Sequence, residues 1–256
     1  MSRKREIWGP VDMREDQTKH WHIGHRRIWL RKEAARWLFA TDLKGATGVE
    51  VFASGARKSV DLPWQTVVGI EGRDPLLLPA LPDQPVLLKS PNPVQVLPGA
   101  ALSLLVAIPV WVTLEAGVVL FDMDTNPISR TWFGDTQAGE TAYALEIADW
   151  MFGEVGEMGA GHIHVPLKIR NESQNLLSFQ RLLVRVVHLS LFGKGEQLFT
   201  NDVVVTFRSV TQYSHIGFAS ASSLDPGGSR LLKEPRQRVS DNLIRRSFLF
   251  FRGLAE

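Results

Sequence analysis

The segment from Val118 to Asn126, VVLFDMDTN, closes an apolar run with two carboxylates two residues apart, Asp122 and Asp124. On a strand this spacing puts both side chains on one face. One can then act as a nucleophile and the other as general acid and base, as in phosphoryl hydrolysis through an aspartyl intermediate. Sites of that kind place a threonine four residues after the first aspartate, whereas here Thr125 comes at three and Asn126 at four. The same spacing opens a calcium loop of the EF-hand type. Pro127, however, stands where the turn glycine belongs, and Phe133 where a bidentate glutamate must close the cage. What survives is a looser cation or ligand site, or a hydrolase site, in which Asp122, Asp124, Asp135 and Glu140 converge with Thr131, Trp132 and Tyr143. The competing reading makes these carboxylates caps of a turn between strands.

Histidines offer a second candidate. His162 and His164 share a strand face and could chelate a metal with His188, Glu154 or Glu157 as third ligand. Their apolar neighbours Ile163, Val165, Leu167 and Ile169 point the other way, so the reading preferred is a solvated polar face that also carries Lys168 and Arg170. His20, His22 and His25 are read in the same way. Exposed Trp132 and Trp150 could recognise a sugar on a sandwich edge. No serine elbow, phosphate-binding glycine loop or dinucleotide fingerprint is present, and no cofactor is implied. The absence of cysteine excludes disulfides, thiolate catalysis and zinc–thiolate sites.

The elements that must position these groups are strands. Apolar and polar residues alternate over His20 to Ile23, Arg27 to Arg31 and Arg36 to Thr41, as in a half-buried antiparallel meander; a helix over Arg31 to Phe39 competes through Ala34 and Ala35. Ala100 to Phe121 is the most apolar stretch and contains one charge, Glu115. It is long enough to span a bilayer as a helix, but Pro109 and Gly117 break it and its valines favour strands. It therefore reads as core strands, Leu102 to Val112 and Gly117 to Phe121, bent at Pro109. Further strands are expected over Ile128 to Phe133, Thr141 to Ile147, His162 to Arg170, Phe179 to Phe192 and Leu198 to Phe207.

The proline-rich stretch Asp74 to Gly99 suggests a division into an N-terminal antiparallel β domain, residues 1–90, and a C-terminal β-sandwich domain, residues 91–229. Residues 230–256 then change character. After Pro235, helical periodicity gathers Val239, Leu243, Ile244, Phe248, Phe250 and Phe251 on one side, and Arg238, Arg245, Arg246 and Arg252 on the other. This is a basic amphipathic helix, expected either to dock on a protein partner or membrane surface or to pack on the chain's own sheets.

The net charge of +2 conceals basic termini and an acidic middle from Glu115 to Glu157. Opposite faces of this kind attract within or between chains, so self-association is a further expectation. The terminal arginines lack the interleaved exposed aromatics of a single-strand binder, which argues against nucleic acid. No export segment opens the chain, so the location expected is cytoplasmic, peripheral to the membrane if the helix docks.

Two stretches are more specific than any motif. Leu78 to Gly99, LPALPDQPVLLKSPNPVQVLPG, running into Ile108 to Val112, and Ser129 to Leu145, SRTWFGDTQAGETAYAL, resemble the prokaryotic family known as domain of unknown function 432. Ile169 to Ser173 adds to the resemblance, while Arg130 departs from it at a position where a small polar residue is expected. The resemblance carries over no activity or catalytic residue, and it implies a small mechanosensitive channel as partner. Taken together, the sequence reads as a mainly β protein of two packed sandwich-like halves with a C-terminal helix. Its expected role is that of a non-enzymatic interaction module, with the acidic cluster as the rival ligand or hydrolase site.

Overall fold

In the computed structural model the described residues are 7–34, 36–54, 62–68, 74–134, 139–152, 161–209, 214–225, 227–238, 242–245 and 247–248. They form strands almost throughout, and the one helical turn among them is the 3-10 segment Val186–His188. The chain gathers into two compact units, one of residues 1–80, 109–127 and 159–162, the other of 81–108, 128–158 and 163–256.

The first unit holds two antiparallel sheets. One joins Thr18–Glu33, Arg36–Ser54 and Gln65–Val68 in that order. Trp21, Ile23, Ile28 and Leu30 are buried, as the alternation requires, while Arg27, Trp29 and Arg31 stay partly exposed. The competing helix over Arg31 to Phe39 does not form, because Glu33 pairs with Arg36 across a tight hairpin. What looks like two strands in the sequence is one strand creased in the middle: pairing jumps from Gly24 with Gly48 to Arg26 with Leu43. At the crease Gly24 has φ +62°, and a Cβ there would meet Asn126 Oδ1 at 2.2 Å and the Thr125 carbonyl oxygen at 2.9 Å, so only glycine fits. The second sheet runs Gly9–Pro10, Leu76–Ala80, Trp111–Glu115, Val119–Asp124. Phe39 of the first sheet and Phe121 of the second meet in the core, ring centroids 5.3 Å apart.

In the second unit a four-stranded sheet runs Ser129–Phe133, Glu140–Glu146, Val86–Val96, Leu177–Val184. Glu140–Glu146 lies parallel to Val86–Val96 and the other pairs are antiparallel. A nine-stranded sheet is built around His162–Asn171, which has parallel neighbours Gln197–Thr200 and Val203–Phe207. The apolar stretch Ala100 to Phe121 becomes strands Ala101–Pro109, Trp111–Glu115 and Val119–Asp124, with the change of sheet at Val110, directly after Pro109. No helix among the described residues is long and apolar enough to cross a membrane.

The basic amphipathic helix expected over residues 230–256 is replaced, among the described residues, by strands. Arg230–Lys233 pairs with Leu191–Lys194, and Asn242–Arg245 pairs with Ser214–Phe218. Phe248 then bridges to Leu182, and Leu183 N–H donates to the Ser247 carbonyl at 2.9 Å. Between these, Arg236 donates through Nε and Nη2 to the Leu81 carbonyl at 2.9 and 2.6 Å, and Gln237 N–H donates to Val187 at 2.9 Å. Helical periodicity loses here because an isolated helix of this length is marginal, whereas three sheet edges offer rows of backbone donors and acceptors. Arg238 is exposed and Arg245 belongs to the last strand; Arg246 and Arg252 lie outside the described residues. Phe248 is buried, packed 5.0 Å from Phe179 and 5.8 Å from Phe207. Phe248→Ala is expected to lower the unfolding free energy by about 3–5 kcal/mol in urea titrations. Truncation after Ser229 is expected to yield aggregate instead of a folded, soluble chain.

Candidate functional site

The residues singled out in the sequence fall into different units. Asp122 and Asp124 end the strand Val119–Asp124 of the first unit; Thr131, Trp132, Glu140 and Tyr143 belong to the second; Asp135 lies outside the described residues. Asp124 is committed to Arg26: its Oδ1 accepts from Nη2 at 2.5 Å, while Arg26 Nε donates to the Asp124 backbone carbonyl. The guanidinium is buried, and a buried charge has to be paired. Asp122 accepts from the Thr113 hydroxyl at 3.3 Å. Thr125 Oγ1 donates to the Val110 carbonyl, His25 N–H to the Thr125 carbonyl at 2.8 Å, and Asn126 Oδ1 lies 3.3 Å from the same amide. The polar groups of the segment thus tie a strand end to the crease at Gly24, and the backbone contacts there are made by Thr125 and Asn126.

The histidine pair has a different surrounding from a solvated face. His164 is only 5% exposed, because its strand is central in the sheet, with Phe199 opposite in the neighbouring strand. Alternation between buried and exposed residues begins only further on, with Lys168 and Arg170 exposed and Leu167 and Ile169 buried. His162 is partly buried, and burial holds its pKa below the usual histidine value. Nδ1 of His188 lies 2.9 Å from the Gln237 carbonyl, and its ring packs on Phe218. Glu154 and Glu157 lie outside the described residues. No group of three His, Asp or Glu among the described residues could hold a metal ion. Trp150, proposed as an exposed sugar-binding group, is buried, its Nε1 donating to the Asn92 carbonyl at 3.1 Å and its ring edge-on to Phe179.

What the second unit does assemble is one edge of its four-stranded sheet. Phe133 is buried with Leu87, Ala142 and Leu183 and pins the outermost strand, Ser129–Phe133. Trp132, next to it, points outward and is 52% exposed. Tyr143 N–H donates to the Pro85 carbonyl at 2.8 Å, away from the outermost strand, so the opposed pair Arg130 and Tyr143 shares no ladder hydrogen bond. Because bonded and non-bonded pairs alternate along an antiparallel ladder, Thr131 bonds its neighbour while the backbone groups of Arg130 and Trp132 face outward. The Tyr143 hydroxyl donates to Asp83 Oδ1 at 2.9 Å. Burial first and Asp83 second push the Tyr143 pKa up, against the pull of Arg130.

Glu140 is not a spare carboxylate either. It accepts from Nη2 of Arg185, whose side chain is 3% exposed. Asp83, Arg185 and Arg26 therefore decide what the predicted residues can do. They stand between 45 and 98 positions from their partners, and no local spacing announces them.

Two expectations follow. Asp124→Ala should lower stability by about 2–3 kcal/mol in urea titrations, since it strands the Arg26 charge, whereas Asp122→Ala should cost less than about 1 kcal/mol. The unfolded chain protonates His162 more readily than the folded one. Its stabilising contribution is therefore present above the ordinary histidine pKa of about 6.5 and lost as pH falls below it. His162→Gln should flatten the pH dependence of stability between about pH 7 and 5.

The stretches that carry the family resemblance supply three adjacent strands of this sheet, Val86–Val96, Glu140–Glu146 and Ser129–Phe133. Ile169 to Ser173 contributes a buried polar knot: Asn171 Nδ2 donates to the carbonyls of Val96 and Asn175, both at 2.8 Å, and its Oδ1 accepts from the Ser173 hydroxyl at 2.7 Å. No curated protein and no solved structure matches the chain. A family model described as protein of unknown function (DUF432) matches residues 7–252, nearly the whole length, and the chain belongs to that family.

Proposed function

We propose that this chain is a non-enzymatic accessory module of β-sandwich type that binds an extended segment of a protein partner along Ser129–Phe133. The observation that carries the reading is the exposure of Trp132, 52%, on the outermost strand of a sheet whose opposite strand is bridged by Phe248. An outer strand with outward backbone groups is a template for strand addition, and an aromatic side chain beside it supplies the anchor. The alternative, a cation-binding or hydrolytic site among the acidic residues, is disfavoured by the engagement of Asp124 with Arg26 and of Glu140 with Arg185.

The family resemblance names the partner to test, a small mechanosensitive channel, which would hold a cytoplasmic chain at the membrane periphery. The test is co-sedimentation of the purified chain with vesicles of one lipid composition, with and without reconstituted channel. Sedimentation should require the channel. Trp132→Ala should weaken it by about thirtyfold, the weight of an interface hot spot. Arg130→Pro, which removes an outward N–H, should abolish it while Arg130→Ala, which keeps that N–H, retains most of it. Equal sedimentation of the proline variant, or binding to channel-free vesicles, refutes the proposal.

A further inference from the structure

The outermost strand of the smaller sheet, Ser129–Phe133, lacks the devices that keep an edge from pairing. Its five residue pairs with residues 140–144 run without a register shift, no proline interrupts it, and Arg130 is its one charge. Among the described residues no strand lies beyond it. Monomeric proteins blunt such edges with bulges, prolines, several charges or a covering segment.

The strand is also complementary to itself. The backbone groups of Arg130 and Trp132 face outward, and their side chains are exposed on one face, placed symmetrically about the middle residue, Thr131. A second copy running antiparallel can set outward groups against outward groups in three registers. Arg130 opposite Arg130 opposes like charges, and it pairs only three of the strand's five residues. Trp132 opposite Trp132 likewise pairs three of the five. Arg130 opposite Trp132, with Thr131 on the two-fold axis, pairs all five and puts a guanidinium across from an indole twice, once for each copy. The pairing requires the backbones to meet and leaves each side chain its contacts within the chain, such as that of Arg130 with Tyr143.

We propose that Ser129–Phe133 pairs antiparallel with the same strand of a second copy, Arg130 opposite Trp132 about a two-fold axis at Thr131, in a dimer that caps the edge until a partner segment displaces it. The inference rests on the reading of this strand as an open pairing edge and adds its regulation, because the second copy and the partner compete for one row of backbone groups. A contact of one short strand a side is small, so the dimer is weak and exchanges readily, as a displaceable cap must.

Sedimentation equilibrium of the full chain should show a reversible monomer–dimer equilibrium. Trp132→Ala should raise its dissociation constant about tenfold or more, and Arg130→Pro should leave monomer. The register is read by cross-linking, since the chain has no cysteine of its own. Opposed Thr131 residues form a non-hydrogen-bonded pair with Cα atoms about 4.5 Å apart, within disulfide reach. The two copies of Ser129 are about 13 Å apart, beyond it. Mild oxidation should therefore convert Thr131→Cys, and not Ser129→Cys, to a covalent dimer. That dimer should sediment less with channel-bearing vesicles than its reduced form. A chain that stays monomeric, a dimer that survives Arg130→Pro, or equal cross-linking of the two thiol variants overturns the proposal. The outcomes separate it from partner binding: a monomer that still sediments with the channel sinks the dimer alone, and a Thr131-linked dimer that ignores the channel supports the dimer and sinks the partner.

Discussion

A β-sheet ends in a row of backbone donors and acceptors that something has to satisfy, and the second unit of this protein is arranged around that requirement. Residues 230–248 supply most of the answer. They add a strand to each end of the larger sheet's main path and close one side of the smaller sheet at Leu182. Phe248 then inserts between Phe179 and Phe207, so the same segment that satisfies hydrogen bonds also completes the aromatic core. On the other side of the smaller sheet, where Trp132 stands, no further strand pairs with Ser129–Phe133 among the described residues.

Local pattern carried the reading a long way where a strand has one wet face. The alternation from Trp21 to Leu30 gives the buried side of the first hairpin, and the breakers Pro109 and Gly117 mark where the apolar stretch leaves one strand for the next. It fails where both faces are covered. His164 looks solvated beside Ile163 and Val165 because period-two logic assumes one dry side, and a strand with neighbours and packing on both faces violates that assumption. It fails again at the C-terminal segment: apolar residues at helical spacing are also available to short strands, and only distant edges, at Leu191 and Ser214, decide between the two. Spacing along the chain marks the candidate carboxylates but not their partners, because Arg26 and Arg185 reach Asp124 and Glu140 through the fold alone.

Two of the candidate carboxylates neutralise buried guanidinium groups, Asp124 that of Arg26 and Glu140 that of Arg185. Asn171 and Asn201 follow the same principle without charge, each holding separate strands or loops together through its amide. Buried polarity in this molecule is used for joining.

The division of the chain into interleaved stretches has a consequence for synthesis. The first unit lacks two of the four strands of its second sheet until residues 109–127 have been made, yet the second unit has by then begun with residues 81–108. The long creased hairpin of Thr18–Ser54 must wait, its apolar side uncovered, while a piece of another core is translated. Interleaved units of this kind fold by long-range closure and not one after the other as they emerge, which makes the nascent chain, more than the finished protein, the form most exposed to misassembly.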